Sequence, residues 1–298
     1  MAYLAFVTVL WAFSFSLIDV YLAGQVDSDF AVLSRVGLAL LLFLPLTRLR
    51  GLPAGLLMGV VAVGMMQFGL TYLCLYRSFA YLTVPEILLF TVTTPLYVAL
   101  ADDALHRRFA PIGLAAALLA VGGAVLIRFD GISSDYLLGF VLIQTANLAF
   151  ALGQVGYKHL LGHYHPSLPS WRFFGLFFLG GTLVSAPAFL IFGDASQLPE
   201  TGLQWGVIAW LGMAASGLGL FLWNRGACLV DGGTLAVMNN VLIPAGLLVN
   251  ILIWNRDADL LRLALGSAVI LLGLWVNARY SRYAVVRWRG REVGSGGG

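Results

Sequence analysis

The sequence predicts an all-α integral membrane protein of ten transmembrane helices, arranged as two inverted five-helix repeats with both termini cytoplasmic. Three observations lead there: the composition, ten apolar runs, and a repeated order of arginine, proline and glycine. Of the 298 residues, 60% are hydrophobic and 10% charged, with a mean hydropathy of +0.91. Soluble domains average about 45–50% apolar and about 25% charged residues. A chain so poor in charge has no surface to offer water, which excludes a soluble enzyme or a nucleic-acid-binding module. Cys74 and Cys228 lie in or beside apolar runs without C-x-x-C or zinc spacing.

The apolar runs fall at 2–23, 28–47, 52–76, 81–101 and 109–128, then at 135–161, 169–192, 201–223, 232–254 and 260–278. A spanning helix needs about 20 mostly apolar residues, so each run suffices and the connecting loops are short. The runs are continuous rather than alternating, which argues against a barrel. The first run has neither a basic leader nor a small-residue cleavage site, so it reads as a helix and not a signal peptide. With the N-terminus inside, the inner segments carry Arg48, Arg50, Arg107, Arg108, Lys158, Arg172, Arg225, Arg279, Arg282, Arg287, Arg289 and Arg291. The outer segments carry only Arg77, Arg128, Arg256 and Arg262, and Arg35 lies within the second run. The positive-inside rule therefore places both termini in the cytoplasm. The basic stretch Arg279–Arg291 suits anionic lipid, and the final Gly294–Gly298 run has the look of an appended linker.

The two halves repeat one another. Arg77 precedes Pro95 by 18 residues and Pro95 precedes Gly123 by 28, while Arg225 precedes Pro244 by 19 and Pro244 precedes Gly273 by 29. Five helices is an odd number, so the second half enters the membrane inverted. The expected units are 1–130 and 131–280, followed by a basic tail at 281–298. Inverted repeats are a common architecture of secondary transporters, with the site near midplane between the halves.

Trp11-Ala12-Phe13-Ser14-Phe15 in the first run, Arg35 in the second, and the Pro95 and Pro244 helices with their downstream glycines carry a resemblance to the drug/metabolite transporter superfamily with EamA-type repeats. It covers roughly residues 2–278; Ala12 stands where the family often has glycine. The resemblance implies a ten-helix fold and movement of amino acids, amines, carboxylates or drugs, mostly outward. It is nearest to the amino-acid-exporting branch, aromatic amino-acid exporters included.

Polar residues at bilayer depth mark the candidate site, because they usually face a cavity or a partner. Arg35 could hold a substrate carboxylate or pair with Asp19; since the second helix lies outside the central cavity in the resembled family, the pair with Asp19 is favoured. Glu86 could bind an ammonium group or a coupling proton, or sit as a rim carboxylate in water. In the sixth run Gln144, Asn147, Ala151, Gln154 and Lys158 share one helical face. That stripe must point inward, either lining a pathway toward a mouth at Lys158 or hydrogen-bonding neighbouring helices. Gln67, Thr71 and Cys74 share a face of the third run; Glu86, Phe90, Thr94 and Tyr97 share one of the fourth. Asn239 and Asn240 precede Pro244 in the ninth. Pro95 and Pro244 free the carbonyls of Thr91 and Asn240 and suit hinges. Trp11 is deep enough for an aromatic wall, whereas Trp223 reads as an interface residue. Gly122, Gly123, Gly266 and Gly273 suit close helix packing.

No G-x-x-x-x-G-K-[ST], H-E-x-x-H or G-x-S-x-G motif occurs, and His106, His159, His163 and His165 fall in loops. The expectation is an inner-membrane secondary exporter of small metabolites, amino acids foremost, working by alternating access without metal, cofactor or catalytic residue. Its site would comprise Trp11, Ser14, Gln67, Thr71, Glu86, Thr94, Tyr97, Asn147, Gln154, Asn239 and Asn240, with hinges at Pro95 and Pro244. The alternatives are a proton-coupled drug or amine exporter, or a non-transporting membrane protein such as an intramembrane enzyme or scaffold.

Overall fold

A computed structural model of the chain describes residues 2–105, 134–230 and 232–254, with isolated positions 261, 265, 268 and 272. Its long helices are α1 (Ala2–Tyr21), α2 (Ser28–Phe43), α3 (Ala54–Ser78), α4 (84–105), α5 (Ser134–Tyr164), α6 (Gly175–Phe192), α7 (Gly202–Cys228) and α8 (Gly232–Trp254). These eight coincide with eight of the ten expected runs. The expected runs at 109–128 and 260–278, with Gly122, Gly123, Gly266, Gly273, His106 and the basic tail, lie outside the described residues, those isolated positions aside. Six described helices are long and apolar enough to cross a membrane. Large apolar side chains such as Val9, Leu183, Leu190 and Leu252 stand exposed on the outside of the bundle, as lipid contact requires.

The helix ends follow local chemistry. Asp27 caps α2 by accepting from the Phe30 N–H at 2.7 Å. Pro45 turns the end of α2 into a 3-10 segment over Leu44–Leu46. Thr201 and Gln204 form a capping box at the start of α7. At its other end α5 runs past its expected limit to Tyr164 and includes His159 and His163, correcting their expected place in a loop. The first breaker is Pro166, preceded by His165 at φ 42°.

Packing sets the geometry of the bundle. α1 packs on α7 and α8, α2 on α6 and α7, α3 on α5 and α6, and α4 on α5 and α8. Gly64 of α3 lies against the Phe177 backbone, and Gly180 of α6 lies against the Val61 backbone. A side chain at either position would push the helices apart, so these small residues permit the close crossing. Beside it, Phe43, Phe68, Phe174, Phe177, Phe178 and Phe221 pack as a buried aromatic cluster joining α2, α3, α6 and α7.

Two helices change their winding mid-span. α3 is π-helical over Met65–Leu70 and α7 over Trp210–Leu218. A π-turn inserts a residue into the i→i−4 ladder and leaves backbone carbonyls open to other donors. In α7 the Ala215 carbonyl accepts from Trp11 Nε1 at 2.7 Å. In α3 the Met66 carbonyl accepts from Thr71 Oγ1 at 3.0 Å.

Candidate functional site

A cavity opens at the centre of the bundle, lined by five helices with one side chain from each of two more. From α1 come Trp11, Ser14, Phe15 and Ile18, and from α5 come Ile143, Ala146, Asn147 and Phe150. Both sets follow the i, i+3, i+4, i+7 spacing of a single helical face. Thr71, Tyr72 and Leu75 enter from α3, Thr91 and Thr94 from α4, Trp223 from α7, Asn239 and Leu242 from α8, and Arg35 from α2. The space traced by the centre of a water-sized sphere is about 90 Å³, enough for several waters.

Aromatic rings close one wall. Trp11 lies 5.0 Å from Trp223 and 6.0 Å from Phe150, edge-on to the latter, by ring centroids. Trp223 is 1% exposed and donates its Nε1–H to Gln154 Oε1 at 3.2 Å. This corrects its expected place at the membrane interface: α7 is 27 residues long, and Trp223 occupies its inward face. Phe150 belongs to the site too, one turn beyond Asn147 on the same face, and that spacing was the available signal.

The polar lining is sparse and held in place by the helix breaks. Pro95 has no N–H to give the Thr91 carbonyl, which instead accepts from the Thr94 N–H in a 3-10 turn over Thr91–Thr93. That turn leaves the Phe90 carbonyl, and Asn147 Nδ2 donates to it at 2.9 Å and to Thr93 Oγ1 at 3.0 Å. The carbonyl engaged by a side chain is thus Phe90's rather than the expected Thr91's. Asn239 Nδ2 donates to the Leu235 carbonyl at 2.9 Å. Ser14 Oγ is buried without a partner among the described residues.

Arg35 provides the charge among the described lining residues. Only 2% exposed, its guanidinium donates from Nε to Ser216 Oγ and to the Tyr76 and Tyr72 hydroxyls at 3.2 and 3.4 Å. It lies over the Tyr72 ring, 4.4 Å from the centroid, in a cation–π arrangement. The expected pair with Asp19 does not form; the ion pair among the described residues joins Arg77 to Asp29 at 2.7 Å. Arg35 faces α3 and α7 instead, where Tyr72, Tyr76 and the π-segment residue Ser216 meet it.

Trp11, Ser14, Thr71, Thr94, Asn147 and Asn239 are therefore brought together, while Gln67, Gln154, Tyr97 and Glu86 lie elsewhere. Gln67 and Gln154 are fully buried beyond the cavity wall, where Gly153 of α5 packs directly on the Gln67 side chain. Tyr97 donates its hydroxyl to Gln144 Oε1 at 3.1 Å, which ties α4 to α5. Glu86 completes a capping box, accepting from the Thr83 N–H at 2.8 Å and the Thr83 hydroxyl at 2.9 Å. It is buried rather than lying in water at a rim. Lys158 Nζ donates to the Val230 carbonyl at 3.1 Å, joining the C-terminal part of α5 to the chain after α7. The stripe on α5 points inward as its spacing requires, but within it only Asn147 lines the cavity; the others hydrogen-bond or pack against neighbouring helices. The Asn240 side chain lies outside the described residues.

The fold has a solved counterpart: a crystal structure superposes with a TM-score of 0.64 at 18% identity, covering 94% of this chain and 98% of that one. Residues 1–129 match the EamA-like transporter family. A Pseudomonas aeruginosa protein named probable biotin transporter is 62% identical over 277 residues, 93% of this chain and 97% of its own length. Proteins named biotin transporter from Salmonella typhimurium and Escherichia coli K12 are 49% and 48% identical, each over 94% of this chain and 93% of their own. These names correct the expected kinship with amino-acid exporters. With the family match over residues 1–129 and a relative 62% identical along nearly its whole length, the chain belongs to the EamA-like transporter family of the drug/metabolite transporter superfamily.

Proposed function

We propose that the protein carries biotin across the inner membrane by alternating access, with the central cavity as its binding site. One observation carries the reading: a small aromatic cavity with few polar groups lies at the centre of a chain that matches a named biotin transporter along nearly its whole length. Biotin combines a compact bicycle, apolar at its thioether and polar at its cyclic urea, with a flexible carboxylate chain. Trp11, Tyr72, Phe150 and Trp223 offer faces for the bicycle. Ser14, Thr71, Thr94, Asn147 and Asn239 offer hydrogen bonds to the urea.

The access change would use the elements that already break regular winding. Pro95 and Pro244 lie in α4 and α8, which pack on each other beside the cavity. The π-segments of α3 and α7 fall in the third helix of each half, which supports the inverted-repeat reading at 1–130 and 131–280. The distribution of arginine and lysine supports cytoplasmic termini and an inner mouth near Lys158.

Purified protein in sealed liposomes preloaded with unlabelled biotin tests the reading. Entry of labelled biotin above that of empty liposomes, competed by unlabelled biotin but not by phenylalanine, is the expected result. No counterflow with folded protein, or competition by phenylalanine as strong as by biotin, overturns it.

A further inference from the structure

We propose that Arg35 selects a carboxylate-bearing substrate, and that Tyr72, Tyr76 and Ser216 are positioning residues that hold its guanidinium ready. The proposal deepens the biotin reading and rests on it for the identity of the substrate. An arginine carries five N–H donors in a fixed fork. Here one goes to Ser216 Oγ, one to the Tyr76 hydroxyl and one to the Tyr72 hydroxyl. All three acceptors are neutral, so the fork keeps its charge and two donors remain.

A buried intramembrane arginine is usually matched by another ionised group or by backbone carbonyls, and the hydrogen bonds of Arg35 go to hydroxyls instead. For Arg35 the described residues supply no carboxylate at ion-pair distance. Asp29, on the same helix, already accepts from Arg77 Nε and Nη2 at 3.1 and 2.7 Å. The Tyr72 ring stabilises the cation from one face and does not neutralise it. Because Arg35 itself lines the cavity, the missing anion can enter with the substrate. A carboxylate placed there gains charge-assisted bonds from the two remaining donors.

This role differs from a purely structural one in what it discriminates. Biotinamide has the bicycle and chain of biotin without the charge. The wild-type protein in detergent is expected to bind biotin roughly tenfold to a hundredfold more tightly than biotinamide. Arg35→Gln is expected to bring that ratio to about one, with Arg35→Lys intermediate because a point charge replaces the fork. Tyr72→Phe, which keeps the ring and removes one hydroxyl that aims the fork, is expected to lower the ratio without abolishing it.

Equal affinity of the wild type for the two ligands overturns the proposal without any variant, so a misfolded Arg35→Gln protein leaves it testable. A ratio unchanged in folded Arg35→Gln overturns it as well. If wild-type protein binds neither ligand, the biotin reading fails, and 5-phenylpentanoate against its carboxamide repeats the comparison. Preference for that carboxylate, lost in Arg35→Gln, would sustain the role of Arg35, and its absence would overturn it.

Discussion

Replacing Gln67 by methionine separates the energetic from the functional meaning of the amides beside the cavity. Gln67 sits in the π-segment of α3 with zero exposure, and neither Nε2 nor Oε1 has a hydrogen-bond partner among the described residues. A buried polar group left unsatisfied costs about 1–3 kcal/mol. Methionine has a similar length and no polar hydrogen, so it can occupy the same space against Gly153. Gln67→Met is therefore expected to stabilise the protein by roughly 1–3 kcal/mol. At about 2–4 °C per kcal/mol, the melting temperature should rise by roughly 2–12 °C. The assay is thermal unfolding of the full chain in detergent at one protein concentration, run beside biotin counterflow. Reduced counterflow in the more stable protein would mean that the amide contacts substrate or water in another state of the cycle. A fall in melting temperature of several degrees would refute the reasoning, because it would require a partner for the amide that methionine cannot replace.

Trp11→Phe removes the Nε1 bond to Ala215 and leaves a carbonyl of the π-segment bare; we expect a loss of about 1 kcal/mol in stability and a raised KM for biotin in counterflow. Glu86→Gln preserves the shape of the capping box at α4 while removing its charge. It should cost about 0.5–1 kcal/mol in thermal unfolding and leave the KM unchanged, whereas a raised KM would return Glu86 to the binding site. In the loop after α6, hydrogen bonds from the Ser196 hydroxyl and N–H hold the Asp194 carboxyl below its usual value. Its contribution to the order of that loop is present above the ordinary carboxylate range and lost as pH falls through the lowered folded value. Protection of the Ser196 amide from hydrogen exchange should follow that course, and this pH dependence should be absent in Asp194→Asn, whose Oδ1 still accepts but does not titrate.

Much of the bundle was legible because lipid imposes a simple rule: a run of about 20 apolar residues can satisfy its backbone only as a helix. The inward direction of Asn147 and Gln154 on α5 followed from the same physics, since an amide facing lipid has no partner. The depth of Trp11 in α1 likewise excluded an interface role before any contact was known. Periodicity assigns a face, however, and a face is not yet a partner. Gln144, Asn147 and Gln154 lie on one stripe, yet the first two meet the break in α4 at Thr93 and the Phe90 carbonyl while Gln154 meets the Trp223 indole.

The sequence by itself determined a membrane-embedded helical protein, the eight described helices to within a few residues, and six of the residues that meet at the cavity: Trp11, Ser14, Thr71, Thr94, Asn147 and Asn239. Each rests on local properties: hydropathy, length and the 3.6-residue period. Only the tertiary structure decided that Arg35 faces the cavity between two tyrosines and a serine, that Trp223 belongs to the aromatic wall, and that Glu86 is spent on a helix cap. Those outcomes depend on how far one helix slides and rotates against another, and on π-turns that shift the register of α3 and α7. Such offsets are set by close packing at residues like Gly64, Gly153 and Gly180, far along the chain from the side chains whose surroundings they decide.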